Sequence, residues 1–148
     1  MRNLILAIIL WLIAAVVYTG NYSVGDFLKA TPLGRYGAEI SSLALMVPVI
    51  LIVAWFYARQ TRGDGWGTSA IGAGILWVGL SVILKLILNR YMVCAPKTNL
   101  SLAEYKIVGE KMRECIMSDY YVWQGKMWPV VLAIALVAPL IMGLKENR

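Results

Sequence analysis

The sequence contains no histidine. That absence removes the commonest general base, the commonest metal ligand and the usual haem ligand. Cysteine is scarce: Cys94 and Cys115 are the two in the chain, and neither stands in a Cys-x-x-Cys motif. Membrane thiol oxidants work through such pairs, so a catalytic thiol couple is not expected. Charge is thin as well. Lys, Arg, Asp and Glu make up 15% of the 148 residues, against about 25% in an ordinary soluble domain. No glycine-rich nucleotide loop, acidic cluster, metal-ligand spacing, internal repeat or low-complexity tract is visible. These gaps leave no catalytic constellation, no metal site and no cofactor to expect.

What fills the sequence is apolar. Hydrophobic residues reach 60% and the mean hydropathy is +0.70, which places the chain in the membrane class. Four runs stand out, at about residues 4–19, 38–58, 68–89 and 127–144. A crossing needs about 20 mostly apolar residues, with a range of about 17–25. The expected fold is therefore all-α: a four-helix transmembrane bundle forming a single integral membrane domain over 1–148. The first run follows Met1-Arg2-Asn3. It is read as a retained helix, because Val17-Tyr-Thr-Gly20 is a poor cleavage site for a leader. Pro48 and Pro139 fall inside spans, where each removes one helical hydrogen bond.

The net charge is +6. Its basic residues cluster at the ends of apolar runs, which fits anchoring beside anionic lipid and gives no reason to expect nucleic acid. Arg2, Arg59, Arg62, Lys145 and Arg148 crowd the short segments on the side of the termini. Eight further basic residues are spread through two longer, acid-diluted loops on the other side. Density near span ends places the termini in the cytoplasm, in a bacterial cytoplasmic membrane. Residues 91–126 then form an outer loop on the oxidising side, holding Cys94 and Cys115 with 20 residues between them. A bridge closing a loop of that size contributes roughly 3 kcal/mol through the unfolded chain, and a Cys94–Cys115 disulfide is expected. Ser101-Leu-Ala-Glu104 is a capping box that opens a short extra helix reaching about Met117. Asn21-Tyr-Ser23 and Asn99-Leu-Ser101 match the glycosylation sequon, a short pattern that chance supplies often.

Within the third run, Lys85 interrupts Trp77–Tyr91. Its stem is long enough to snorkel to the interface. Helical spacing offers a second reading. Gly74, Ser81, Lys85 and Asn89 follow at steps of seven, four and four, forming a small and polar stripe that should face other helices. Its partner would be Glu39, at the start of the second helix, with Arg35 nearby: an ion pair at the outer mouth of the bundle. A proton or ion relay would need further mid-membrane ionisable groups, which the sequence does not supply. Ala70, Gly72, Gly74, Gly79 and Ser81 are the expected helix-packing positions, within the chain or between copies.

Arg35-Tyr-Gly-Ala-Glu39, Ala70-Ile-Gly72 with Leu76-Trp-Val-Gly-Leu80, and Asp119-Tyr-Tyr121 with Gly125-Lys-Met-Trp-Pro129 and Ala138-Pro139 carry a resemblance. The chain resembles a group of small, uncharacterised four-span bacterial membrane proteins. Those proteins tend to have a carboxylate where this chain has Lys85, and a shorter third loop. The resemblance implies the fold and carries no known activity. The function expected from all this is non-catalytic: lipid or protein contacts, as an accessory subunit of a larger membrane complex. Partners would be the bilayer and a protein, or a second copy, held through small-residue helix faces. The alternative is a small oligomeric transporter or channel. A membrane enzyme acting on lipid or thiol substrates comes third.

Overall fold

The computed structural model describes residues 1–32, 34–88, 113–115, 117 and 126–148, the side chains at 22, 23, 26, 28, 29 and 35 excepted. The described residues are all-helical, with helices α1 (Arg2–Lys29), α2 (Gly34–Gln60), α3 (Trp66–Leu88) and α4 (Trp128–Glu146). All four are long and apolar enough to cross a membrane, over Arg2–Asn21, Tyr36–Gln60, Trp66–Leu88 and Trp128–Glu146. At 1.5 Å per residue the 19 residues of α4 reach about 28 Å, close to the hydrocarbon thickness of about 30 Å. Helix α1 is longer than its apolar run. It continues through a polar segment to Lys29, because no helix breaker stands before Thr31-Pro32. Neither Pro48 nor Pro139 interrupts its helix.

Packing follows a ring that sequence order does not give. Helix α1 packs on α2, α2 on α4, α4 on α3, and α3 more lightly on α1. Helices α2 and α3, consecutive in the chain, stand across the ring from each other and meet at Tyr57, whose Oη donates to the Ser69 carbonyl at 3.2 Å and whose ring meets Trp77 edge-on at 6.0 Å. The turn joining them is tight, with Gly63 at φ 114° and Gly65 at φ 79°, a backbone region that disfavours any side chain. It is tied to α4 rather than left open. Glu146 accepts from Trp55 Nε1 at 2.8 Å and pairs with Arg62, while Gly63 N–H donates to Asn147 Oδ1 at 3.2 Å. Asn3 Nδ2 donates to Ser69 Oγ at 3.2 Å, joining the starts of α1 and α3. Both chain termini therefore lie at one end of the bundle.

Small side chains set the helix separations. Ala7, Ala54, Ala73, Ala135 and Ala138 are buried in the core beside Leu10, Ile50, Val53, Tyr57 and Trp77. At Gly74 an added Cβ would lie 2.5 Å from the Leu136 carbonyl oxygen, which marks a close approach of α3 to α4. The outward faces carry exposed Ile5, Ile9, Ile52, Ile75, Ile83 and Ile141. In water such a surface would be an aggregation liability; against lipid tails it carries no such penalty.

Candidate functional site: an aromatic cavity at the far end of the bundle

Each helix turns one stripe toward a common interior. Helix α1 contributes Trp11, Ala14, Ala15 and Tyr18; α2 contributes Met46, Ile50 and Val53. Helix α3 adds Trp77, Ser81 and Leu84, and α4 adds Trp128, Val131, Leu132 and Ala135. The steps within each set, three and four in α2 and α3 and three, one and three in α1 and α4, keep these residues on one helical face. Between them lies a small cavity of about 40 Å³, open at a mouth. The bulky indoles hold the helices apart, while Ala14, Ala15, Ser81 and Ala135 leave the space unfilled.

The polar atoms of this wall are mostly engaged. Trp11 Nε1 donates to Ser81 Oγ at 3.0 Å, and Trp77 Nε1 donates to the Ala7 carbonyl at 2.9 Å. Trp128 differs. Its Nε1 is buried and has no hydrogen-bond partner among the described residues, although a buried donor left unmet costs about 1–3 kcal/mol. The Trp128 ring stacks at a tilt against Tyr18, with centroids 5.2 Å apart.

Lys85 sits at the margin of this aromatic pair. It is only 8% exposed. Its Nζ donates to Tyr18 Oη at 2.8 Å and lies 5.5 Å and 5.4 Å from the Tyr18 and Trp128 ring centroids. A desolvated cation over an aromatic face is worth about 2 kcal/mol, so the two rings offset part of the cost of burying the ammonium. Gly74 is buried on the same inward stripe of α3.

Glu39 is held elsewhere. Its carboxylate lies 3.6 Å from Lys126 Nζ and accepts the Met127 backbone N–H at 3.5 Å. Among the described residues, then, Glu39 meets Lys126 and Lys85 meets Tyr18, where a Glu39–Lys85 pair was expected. The ring order explains the exchange. Helix α2 packs on α4, so Glu39 meets the residues that lead into α4. Lys85, on α3, reaches Tyr18 of α1 and the Trp128 ring of α4. The Arg35 side chain lies outside the described residues.

The other expected positions divide. Ala70 is buried in α3. Gly72 and Gly79 are exposed, and a Cβ added at either meets no described atom, so the described chain does not pack on them. Cys115 presents no free thiol; Cys94 lies outside the described residues, as does most of the 91–126 loop. Of the helix expected to end near Met117, residues 113–115 and 117 are described and helical. Asn21 of the first sequon is buried, and its amide donates to Ser42 Oγ, which leaves that nitrogen no room for a glycan. Asn99 lies outside the described residues. Among the described residues no group of three or more His, Cys, Asp or Glu could hold a metal ion.

Trp11 and Trp128 were not legible as cavity residues. Trp128 reads from sequence as an interface aromatic, and Trp11 as one more apolar residue in a run. A signal was present in α1: Ala7, Trp11, Ala14 and Tyr18 alternate small and aromatic at spacings of four, three and four. No family model, curated protein or solved structure matches the chain.

Proposed function

We propose that this chain is a non-catalytic integral membrane protein that acts through lipid or protein contacts, as an accessory subunit of a larger membrane complex. The observation that carries the reading is the character of the bundle. Its outward faces are apolar, and its interior cavity is walled by apolar and aromatic side chains whose polar atoms are largely engaged with one another. A transport path for ions or polar solutes needs polar groups along its length. The transporter or channel reading therefore has the weaker support. The membrane is a bacterial cytoplasmic one, with the termini and the Arg59–Arg62 segment in the cytoplasm. The 91–126 loop then lies on the oxidising side, closed by a Cys94–Cys115 bridge, with a short helix ending near Met117. The bound state of the Cys115 sulfur supports that bridge.

The test is a tagged pull-down from native membranes in mild detergent, read by native mass. A discrete hetero-complex with a defined stoichiometry is the expected result. A bare monomer or homo-oligomer would overturn the accessory-subunit reading and bring transport forward.

A further inference from the structure

We infer that the end of the bundle carrying the α2–α3 turn holds a head-group site for an anionic phospholipid, with the Arg59 guanidinium clamping the phosphate. The inference rests on the lipid-contact side of the proposed function and names the lipid. Three observations carry it. The first is charge. Arg2, Arg59, Arg62, Lys145 and Arg148 gather at this end, with Asp64 and Glu146 as its acids. Glu146 is already engaged by Arg62 and the Trp55 indole. Arg59 and Lys145 are exposed, and among the described residues neither forms an ion pair or donates a hydrogen bond. Each stands in the last turn of its helix, where the dipole offers about half a negative charge, too little to neutralise a full cation.

The second is how Arg59 is held. Its guanidinium carbon lies over the Trp55 ring, 5.4 Å from the centroid, a cation against an aromatic face. The ring itself is fixed, because its Nε1 donates to Glu146 Oε1 at 2.8 Å. This contact positions the guanidinium but gives its N–H groups no oxygen acceptor. The planar fork they form matches two oxygens of a phosphate. The third is depth. Trp55 and Trp66, the latter packed on Gly143, are the amphipathic rings that favour the lipid–water boundary. Arg59 follows Trp55 by one helical turn, about 6 Å. That sets it in the head-group layer, about 5–7 Å thick on each side. Lys145 shares the level, since the carboxylate of its neighbour Glu146 reaches Trp55. A zwitterionic head would bring its own ammonium to this surplus of cations, so an anionic head is favoured.

The experiment uses the purified full-length chain in detergent with no partner present, so its failure leaves the pull-down result untouched. Phosphatidylglycerol and phosphatidylcholine with matched tails are titrated, and adducts are read by native mass. A saturable one-to-one adduct that prefers phosphatidylglycerol is expected. Arg59→Gln should weaken it about fivefold, the effect of one basic residue at an anionic surface, and Lys145→Gln should weaken it as well. Both side chains are exposed, so circular dichroism should show the helical fold kept. Arg113→Gln removes the same charge from the segment between α3 and α4 and should leave the adduct unchanged. Inorganic phosphate at the same concentration should not displace the lipid; displacement would assign the site to a free anion and overturn the lipid. Equal retention of the two lipids by the unmutated chain would overturn the inference. So would an equal loss in Arg59→Gln and Arg113→Gln, since net charge and not a site would then set the affinity.

Discussion

Gly74→Ala is the substitution whose consequence follows most directly from the geometry. The added Cβ would stand 2.5 Å from the Leu136 carbonyl oxygen, with the Leu136 carbonyl carbon and Cα at 3.3 and 3.4 Å. A relaxed carbon–oxygen contact between helices lies at about 3.3–3.6 Å, so about 0.8 Å of clearance is missing. The obstructing atom belongs to the α4 backbone and is not the tip of a flexible side chain. Relief therefore requires α3 and α4 to shift as bodies, and overpacking of that kind costs about 1–3 kcal/mol. Alanine also improves helix propensity over glycine, by up to about 1 kcal/mol. Gly72→Ala and Gly79→Ala carry that gain without the clash, because nothing described lies within 4 Å of either new Cβ. The difference between Gly74→Ala and these two controls should then isolate about 1–3 kcal/mol of destabilisation. Equilibrium unfolding in mixed micelles at fixed detergent fraction measures it. If all three variants are equally stable, the close α3–α4 approach is wrong.

Four further outcomes follow. Gly143→Ala meets the Trp66 ring at 2.6 Å; a side chain can yield where a backbone cannot, so its unfolding free energy should fall by less than that of Gly74→Ala. A double-mutant cycle between Glu39→Gln and Lys85→Met should give coupling near zero, while Glu39→Gln with Lys126→Met gives up to about 1 kcal/mol, as befits a partly exposed pair. Trp11→Phe with Ser81→Ala should couple by about 1 kcal/mol in the same unfolding assay. Glu146→Ala removes the acceptor shared by Trp55 and Arg62 and should raise protease cleavage within Thr61–Gly65, because that turn loses its tie to α4.

The spans were legible in the sequence because lipid imposes a simple demand: about 20 apolar residues with every backbone group satisfied internally. The inward stripe of α3 was also readable, since Gly74, Ser81 and Lys85 share a helical face. Which helix that face meets was not readable. The Glu39–Lys85 expectation assumes that helices joined by a short turn are packed neighbours. Here α2 and α3 stand across the ring and meet at Tyr57, nearer the other end of the bundle, and a carboxylate and an ammonium on consecutive helices find other partners. Gly72 and Gly74 show the same limit on a smaller scale. Two residues of one helix separated by a single position point about 200° apart, so one glycine makes a tight interhelical contact and the other faces outward. Composition alone cannot distinguish them. The extension of α1 to Lys29 was missed for a different reason: apolarity marks where a helix crosses lipid, not where its hydrogen bonding stops.

The proposed function rests on one premise, an apolar interior that excludes water. A nitroxide attached at Leu132→Cys, on the cavity wall, tests it in reconstituted bilayers, with the unmutated chain as the blank. Relaxation by dissolved oxygen, which partitions into lipid, is compared with relaxation by a water-soluble nickel chelate. An apolar, closed interior predicts strong relaxation by oxygen and almost none by the chelate. Strong relaxation by the chelate would mean an aqueous path through the bundle, and would contradict the contact-based function.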